Sequence, residues 1–436
     1  MALVEVQDIS LFVLSSDRLW GFHIDSPRVG GKFGDRGMDF YGWVLGRSSP
    51  AVAVELVRDG AVIRRVPVSV SRPDVAAAYS QVPGAETSGF SASVSVLGAA
   101  SEIQLTVQAV LRNQSRVALG VITVRRGWYE EERREEAPLV SVIIPCYNQA
   151  HFLAEAIESV LAQIYAQFEI VVVDDGSTDN TSEVAARYPG VRCIWQDNQG
   201  LAETRNTGIK KSNGNYLVFL DADDRLLPEA LGAGLTALNS HPDCAFVFGR
   251  CRVVGIDGAP LPGWQQPHFD EDYYGSLLRG NYIWMPAMVM YRRAVFESGK
   301  GFSPQMKGTE DYALYLQVTR NFPIYFHGQE VAEYRQHGSN MNHMLPQMLI
   351  SSLKTLHSEW EYIKHSQQHR SNYKKGIRGW QESYGQPLAV LVCELVRSHE
   401  WNQAFGYIRM LLRYHPSGMR LILRDCLSQL SGKLNI

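Results

Sequence analysis

The stretch LVSVIIPCYNQAHFLAEAIESVL, residues 139–161, is followed by FEIVVVDDGST at residues 168–178, and together they decide the fold. Residues 139–144 are mostly apolar over the length of one strand and run directly into polar residues. Leu153, Ile157, Val160 and Leu161 then recur at helical spacing, which predicts an amphipathic helix. Strand-like and helical segments continue to alternate as far as residue 220. This alternation predicts an α/β domain with a largely parallel, doubly wound sheet.

Polar clusters follow three of the predicted strands, namely PCYN at 145–148, DDGSTD at 174–179 and DADD at 221–224. Taken alone, the second cluster is ordinary turn and helix N-cap chemistry. Ligands of such sheets bind beyond the carboxyl ends of the strands, so the acids of two clusters are expected to share one crevice. Their mutual repulsion is costly unless a cation is present. Carboxylate oxygens together with substrate phosphates suit Mg²⁺ or Mn²⁺.

Four motifs in order resemble the family 2 glycosyltransferases, which have the GT-A fold. They are SVIIPCYNQAHFLAEAIESVLAQ (141–163), FEIVVVDDGSTDNT (168–181), NQGLAETRNTGIKKSNGNYLVFLDADD (198–224) and GTEDYALYLQV (308–318). The resemblance covers roughly residues 138–345. It implies an α/β, Rossmann-like mixed sheet that binds nucleotide-diphospho-sugars, and it leaves the rest of the chain unassigned.

The resemblance also implies a set of donor-binding residues. Pro145 and Tyr147 would line the pocket for the base, with Tyr147 stacked on it, and Asp175 would accept from the ring N–H of uracil or thymine. Arg205 would face the base and the phosphates, and Asp221 with Asp223 would form the DxD motif.

The acids of the DADD segment would share the remaining donor contacts. One carboxylate would bind Mn²⁺ or Mg²⁺ and another would reach the ribose hydroxyls. Asp221 is assigned to the nucleotide sugar, and Asp223, Asp224 and His337 to the metal, but the division of work among the three acids stays open. Arg335, close to His337 in YRQHGSNMN (334–342), is a candidate for the phosphate charge.

Glu310 and Asp311 are the candidate catalytic pair. Acids in a first helical turn are commonly structural, because they favour the helix dipole. The resemblance instead implies that Asp311 is the general base for the acceptor hydroxyl and that Glu310 places it or contacts the acceptor. Displacement assisted by one base implies inversion at the anomeric carbon. Trp284 lies where the acceptor side of the family falls and either stacks on a sugar or packs in the core.

Outside the resemblance, the composition changes twice. Residues 1–126 contain about seven short β-branched and aromatic runs, and Asp59-Gly60 between two of them indicates a hairpin. We predict an N-terminal all-β sandwich at 1–126, a charged linker at 127–137, the transferase domain at 138–345 and a C-terminal helical region at 346–436.

The charge is uneven along the chain. The whole sequence carries 42 Lys and Arg against 45 Asp and Glu, a net charge of −3, which argues against a generally basic nucleic-acid-binding protein. Residues 364–436 nevertheless carry 11 bases and 4 acids, a net of +7. This tail either lies on anionic lipid headgroups or forms a solvated helical face or an oligomer contact.

We find no secretory signal and no apolar run of transmembrane length, and the six cysteines have no CxxC spacing. These features predict a cytoplasmic protein that can reach the inner face of the membrane. The expected function is an inverting, metal-dependent glycosyltransferase that moves a sugar from a UDP- or dTDP-sugar to a glycan or lipid-linked acceptor in cell-surface polysaccharide biosynthesis. The alternative is a carbohydrate-binding or scaffold protein with an inactive transferase-like domain.

Overall fold

The computed structural model describes residues 2–12, 18–33, 38–94, 102–128, 137–262, 268–297, 301–338, 344–419 and 422. The chain divides into two compact units, Met1–Glu135 with Asn321–Pro323, and Glu136–Arg320 with Ile324–Ile436. The predicted charged linker lies largely outside the described residues, and the predicted division into four regions stays a prediction.

The N-terminal unit contains two antiparallel sheets. One has the strand order β3-β1-β9-β8-β5-β6 and the other β2-β4-β7. The strands are β1 (Ala2–Leu11), β2 (Leu19–Ser26), β3 (Lys32–Phe33), β4 (Met38–Gly46), β5 (Ala51–Arg58), β6 (Ala61–Pro67), β7 (Gly89–Val94), β8 (Glu102–Leu111) and β9 (Arg116–Trp128), and a helix, α1 (Pro73–Ala78), precedes β7.

Both sheets contribute to one buried cluster, with Phe40 from β4 and Phe90 from β7 facing Leu56 and Leu105 of the larger sheet. Apolar side chains alternate with exposed ones along these strands, so each sheet has one inward face. The predicted hairpin is confirmed, because Asp59-Gly60 joins β5 to β6. The predicted N-terminal β-sandwich is therefore confirmed.

The second unit is built on an eight-stranded mixed sheet with the order β12-β11-β10-β13-β16-β15-β17-β14. The first four strands in that order are parallel, and β16 runs antiparallel to β13. The strands are β10 (Val140–Cys146), β11 (Phe168–Asp174), β12 (Val191–Trp195), β13 (Tyr216–Phe219), β14 (Arg225–Leu226), β15 (Phe246–Val254), β16 (Val289–Arg292) and β17 (Ile324–Arg335). The predicted α/β class with a mixed sheet is confirmed.

Helices connect and cover these strands. They are α2 (Ala150–Leu161), α3 (Thr181–Ala185), α4 (Leu201–Lys211), α5 (Ala230–Ser240), α6 (Tyr273–Arg279), α7 (Ala294–Glu297) and α8 (Glu310–Thr319). Helix α4 approaches β10 closely at Gly208, where an added Cβ would lie 2.3 Å from Cγ2 of Ile143. The glycine of TRNTG therefore allows α4 to pack on the central strand and fixes the height of Arg205, one turn earlier.

The C-terminal region is helical, as predicted. It contains α9 (Leu345–Ser358), α10 (Trp360–Ile363), α11 (Gln367–Trp380), α12 (Gln386–Arg397) and α13 (Trp401–Tyr414), with a π-helical turn at Gln381–Gly385. Leu349, Leu353, Leu388, Val392 and Leu411 form its buried core. Among the described residues, no helix combines the length and apolar character that crossing a bilayer requires.

Candidate active site

The carboxyl ends of β10 and β11 lie side by side, since Cys146 pairs with Asp174. The loops that follow are joined by hydrogen bonds. The side-chain oxygen of Asn148 accepts from the backbone N–H of Thr178 at 2.8 Å, and the N–H of Asn148 donates to Oγ of Ser177 at 3.0 Å. The first two predicted polar clusters, PCYN and DDGSTD, therefore lie together at one edge of the sheet.

Asp175 is 3% exposed and is held by three donors. Its Oδ1 accepts from Nε2 of Gln196 at 2.7 Å and from the backbone N–H of Gln199 at 2.9 Å, and its Oδ2 accepts from the N–H of Gly200 at 2.9 Å. Gly200 lies directly before α4, so the carboxylate also lies at the positive end of a helix dipole. These bonds fix the orientation of Asp175 before any ligand binds.

The other predicted donor-side residues occupy different environments. Pro145 is buried in β10, whereas Tyr147 follows the strand and is 50% exposed, which leaves its ring available to a planar ligand. Trp284 is partly exposed in the segment between α6 and the 3₁₀ turn Pro286–Met288. The role of Trp284 on the acceptor side stays a prediction.

Arg205 is a buried cation on α4, with 2% of its surface exposed. Its Nη2 donates to Oδ1 of Asp221 at 2.7 Å, and its guanidinium lies 5.2 Å from the ring centre of Phe302. Burial lowers the pKa of Arg205, but the charges of Asp221, Glu310 and Asp311 outweigh it, so the pKa is raised. Arg205 therefore remains charged among three carboxyl groups, two of which belong to the predicted catalytic helix.

Asp223 and His337 meet in the structure although 114 residues separate them, with Nε2 of His337 2.9 Å from Oδ2 of Asp223. Burial and the charge of Asp221 raise the pKa of Asp223, while His337 opposes the shift. Asp224 is buried and accepts from the backbone N–H of Arg335 at 2.9 Å. Burial and the charges of Asp223 and Asp221 hold the pKa of Asp224 well above its usual range.

The guanidinium group of Arg335 donates its hydrogen bonds to oxygens of the protein itself. Its Nε donates to the backbone oxygen of Asp223 at 2.8 Å, its Nη1 to that of Ile256 at 2.8 Å, and its Nη2 to Glu155 at 2.6 Å. Because Arg335 is 2% exposed and uses all three nitrogens in this way, the structure favours a role in holding the DADD loop over the predicted contact with phosphate.

Glu310 and Asp311 open α8, as predicted, and Thr309 is the N-cap residue. Burial raises the pKa of Asp311 to about 7; Arg205 opposes the shift and Glu310 adds to it. Burial also raises the pKa of Glu310, and its Oε2 has no hydrogen-bond partner among the described residues. Asp311 is partly exposed, so a carboxyl group with a pKa near neutrality is accessible to a ligand.

No three His, Cys, Asp or Glu side chains of the described residues converge into a metal site made by protein alone. Mg²⁺ and Mn²⁺ are commonly held by one or two carboxylates together with substrate phosphates, so such a site is not required. The carboxylates of Asp223 and Asp224 and the imidazole of His337 are donor types that suit a divalent cation completed by substrate phosphates. Burial, together with the like charges of neighbouring acids, raises the pKa of both carboxyl groups, and a cation would offset this cost.

Two residues that contact the predicted site residues were not predicted from the sequence. Nε2 of Gln149 lies 3.4 Å from Oδ2 of Asp223. Asn206 binds the backbone of Phe302 through both of its amide atoms, at 2.9 Å each, and so brings the Phe302 ring to Arg205. Gln149 follows Tyr147-Asn148, and Asn206 lies in TRNTG. Their position inside these motifs is the sequence feature that could have indicated that they belong to the site.

Comparison with known proteins places this geometry in a family. The family model "Glycosyl transferase family 2" matches residues 141–299, which include the three strand-end clusters but end before Glu310. The putative teichuronic acid biosynthesis glycosyltransferase TuaG of Bacillus subtilis is 30% identical over 205 residues, which cover 45% of this chain and 79% of TuaG. The chain belongs to glycosyltransferase family 2. The resemblance inferred from the four motifs is thereby confirmed.

Other relatives of this family 2 chain match over a smaller share of their own length. A glycosyltransferase of Rickettsia prowazekii is 31% identical over 215 residues, covering 47% of this chain and 65% of the relative. The chain spans from 30% to 65% of the length of the Rickettsia relatives that it matches. Among solved structures, the mannosyltransferase PcManGT of Pyrobaculum calidifontis, in complex with GDP-Man and Mn²⁺, is 17% identical with a TM-score of 0.41, and the alignment covers 68% of this chain and 91% of PcManGT.

Proposed function

We propose that this protein is an inverting, metal-dependent glycosyltransferase that transfers a sugar from UDP- or dTDP-sugar to a hydroxyl group of a glycan or lipid-linked acceptor in cell-surface polysaccharide biosynthesis. The observation that carries the proposal is the position of Asp311, a partly exposed carboxyl group with a pKa of about 7 beside Arg205. A general base works best when its pKa is near the working pH. An inactive scaffold has no need of an acid whose ionisation is made this costly at neutral pH.

In this proposal each site residue has a role that follows from its position. Asp311 accepts the proton of the acceptor hydroxyl as it attacks the anomeric carbon, while the bond to the diphosphate breaks on the opposite side. Arg205 donates a hydrogen bond to Asp221, and its charge offsets the charges of Asp221 and Asp311. Asp223 and His337, with Asp224, would hold the divalent cation together with the phosphates of the donor. When bound, Mn²⁺ or Mg²⁺ neutralises charge on the departing diphosphate.

The preference for a pyrimidine base is argued from Asp175. A carboxylate offers about four acceptor positions, and three of them are already used by Gln196, Gln199 and Gly200. One position is left, on Oδ2. Uracil and thymine present one ring N–H on their pairing edge, whereas guanine presents an N–H together with an amino group. The remaining capacity of Asp175 therefore suits a base with a single donor.

We expect UDP and dTDP to bind at least about tenfold more tightly than GDP in the presence of Mn²⁺. This ratio of affinities corresponds to the free energy of one hydrogen bond to a charged group. Isothermal titration with the three diphosphates measures this preference. Turnover of the corresponding nucleotide sugars then tests the activity itself. Tighter binding of GDP would contradict the base-pocket assignment, and no metal-dependent turnover of any nucleotide sugar would favour the inactive scaffold.

Contact with an anionic membrane surface is part of the proposal, and helix α13 supports it. Trp401, Phe405 and Leu412 lie on one face of α13 and are 48%, 64% and 56% exposed. Arg409 and Arg413, also exposed, flank this apolar face. An exposed apolar stripe that contains Trp and Phe beside cations is typical of a helix that lies in a lipid interface. A membrane at this face would bring the site to a lipid-linked acceptor at the inner face of the membrane.

We expect the protein to sediment with vesicles of phosphatidylglycerol and phosphatidylcholine but not with vesicles of phosphatidylcholine alone, and to be released by salt. Phe405→Ser combined with Leu412→Ser should abolish sedimentation, since it removes most of the exposed apolar area. Val390→Ser is the matched control, because Val390 is 53% exposed on the neighbouring helix α12. Equal sedimentation of the double variant and the control would refute contact through α13.

A further inference from the structure

We propose that helix α9 is a positioning element for the general base, with Ser351 and Thr355 holding the loop that leads into α8. This inference rests on the proposed function. Ser351 and Thr355 lie outside the four family motifs. Neither residue contacts the nucleotide-binding edge of the sheet in the proposed reaction.

Three polar side chains on one face of α9 bind the segment 305–309. Oγ of Ser351 donates to the backbone oxygen of Lys307 at 2.6 Å, and Nζ of Lys354 donates to that of Gln305 at 2.8 Å. Oγ1 of Thr355 lies 2.9 Å from Oγ1 of Thr309, the N-cap residue of α8. Ser351 and Thr355 are 3% and 0% exposed, so these bonds form away from water and are worth more than surface contacts.

The loop itself depends on this support. Gly308 has a φ of +84°, a left-handed conformation that favours glycine, and Sδ of Met348 on α9 would lie 3.1 Å from an added Cβ. The chain therefore turns sharply against α9 immediately before Glu310 and Asp311. A shift of this turn moves both carboxyl groups, because they are the first two residues of the helix.

The far end of α8 is held from the same side. Nη1 of Arg320 donates to both carboxylate oxygens of Glu359, at 2.9 and 2.7 Å, and the hydroxyl group of Tyr274 donates to Oε2 at 2.7 Å. Glu359 follows α9 directly and is 5% exposed. Both ends of the helix that carries the base are thus bonded to α9 or to the residue after it.

In the proposed mechanism, kcat falls at acid pH because Asp311 becomes protonated, and this acid limb of the pH profile follows the pKa of Asp311. Since that pKa depends on the groups around Asp311, a change in the position of Asp311 should move the acid limb. The titratable and charged groups that face it are Arg205 on α4, Asp221 after β13, Glu310 and Tyr315 on α8, Tyr291 on β16 and Tyr384 in the π-helical turn. A loosened loop would admit water and weaken the burial that raises this pKa.

The test compares Ser351→Ala combined with Thr355→Val against Ser352→Ala. Ser352 is a matched control, since it is 0% exposed on the same helix and its Oγ has no hydrogen-bond partner among the described residues. We expect the double variant to lower kcat roughly 10- to 100-fold, the usual cost of a small misplacement, and to leave the KM for the donor unchanged. We also expect its acid limb to move below pH 7 and amide hydrogen exchange to accelerate at residues 305–311.

The single variant Thr355→Ser, which keeps the hydroxyl group, should keep the wild-type pH profile, and Ser352→Ala should match the wild type in kcat, KM, acid limb and hydrogen exchange. A double variant whose acid limb and exchange rates equal those of an active wild-type protein would overturn the inference, even if it melts at a lower temperature. A wild-type protein without turnover of any nucleotide sugar would instead refute the proposed function, and the positioning role with it.

Discussion

Asp311→Asn is expected to lower kcat by about 10²- to 10⁴-fold, the range that general acid–base catalysis contributes. The amide cannot accept the proton of the acceptor hydroxyl, although it keeps nearly the same shape and can still accept from the N–H of Tyr312, as the carboxylate does at 2.7 Å. Binding of the nucleotide sugar should be unchanged, because Asp175, Tyr147 and Asp223 lie on other elements. Initial rates at saturating donor, together with titration of the diphosphate, separate the two effects.

The pH dependence provides a second measurement of the same prediction. The pKa of Asp311 is raised to about 7, so the base is deprotonated above that pH and protonated below it. Wild-type kcat should therefore be full above about pH 8 and fall roughly tenfold for each pH unit below 7. The residual activity of Asp311→Asn should lack this acid limb. A variant that keeps the limb would assign the base to another group, and Glu310→Gln would then be the next substitution to measure.

Asp223→Asn is expected to weaken the apparent affinity for Mn²⁺ by more than about 100-fold, since loss of an outer-shell partner alone costs 10- to 100-fold. The substitution removes the negative charge and replaces one carboxylate oxygen by an amide nitrogen, which also weakens the contact with Nε2 of His337. Activity should be partly recovered at high Mn²⁺ concentration. Dependence of the initial rate on Mn²⁺, with binding of UDP in parallel, measures the shift.

Asp59→Asn is the matched control for this substitution. Asp59 is 93% exposed at the tip of a hairpin, and Asn-Gly is as favourable there as Asp-Gly. Its Mn²⁺ dependence should equal that of the wild type. If Asp223→Asn also keeps the wild-type dependence while Asp224→Asn loses it, the direct metal ligand is Asp224, and the division of work among the three acids must be reassigned.

The sequence was sufficient for those features that depend on local pattern. Apolar runs and helical spacing predicted β10, α2 and β11, and the rule that parallel strands end at one edge predicted the meeting of DDGSTD and PCYN. Asp59-Gly60 predicted its hairpin, because two residues with positive φ are needed there and these two adopt it readily. Local chemistry at fixed spacing determines each of these features.

The contacts that complete the site join distant parts of the chain and leave no local pattern. Asn206 reaches Phe302 and Ser351 reaches Lys307 only because helices and strands pack in one arrangement. The contact of His337 with Asp223 is equally distant in sequence, and only the family resemblance, not a local pattern, assigned the two residues to one site. For Arg335 the sequence predicted a contact with phosphate that the structure does not favour. Nothing in the sequence indicates that its guanidinium donates to backbone oxygens of the protein instead. The predicted roles of all the site residues, Trp284 and Asp224 included, stay predictions.

The acids with raised pKa values at this site have a consequence for engineering. Asp223, Asp224, Glu310 and Asp311 all have raised pKa values, so above neutral pH the folded state bears the cost of their ionisation, which the unfolded chain avoids. Selection for heat resistance at alkaline pH would therefore enrich neutral replacements at these positions. Such a selection would yield sturdy but inactive proteins unless it also demanded turnover.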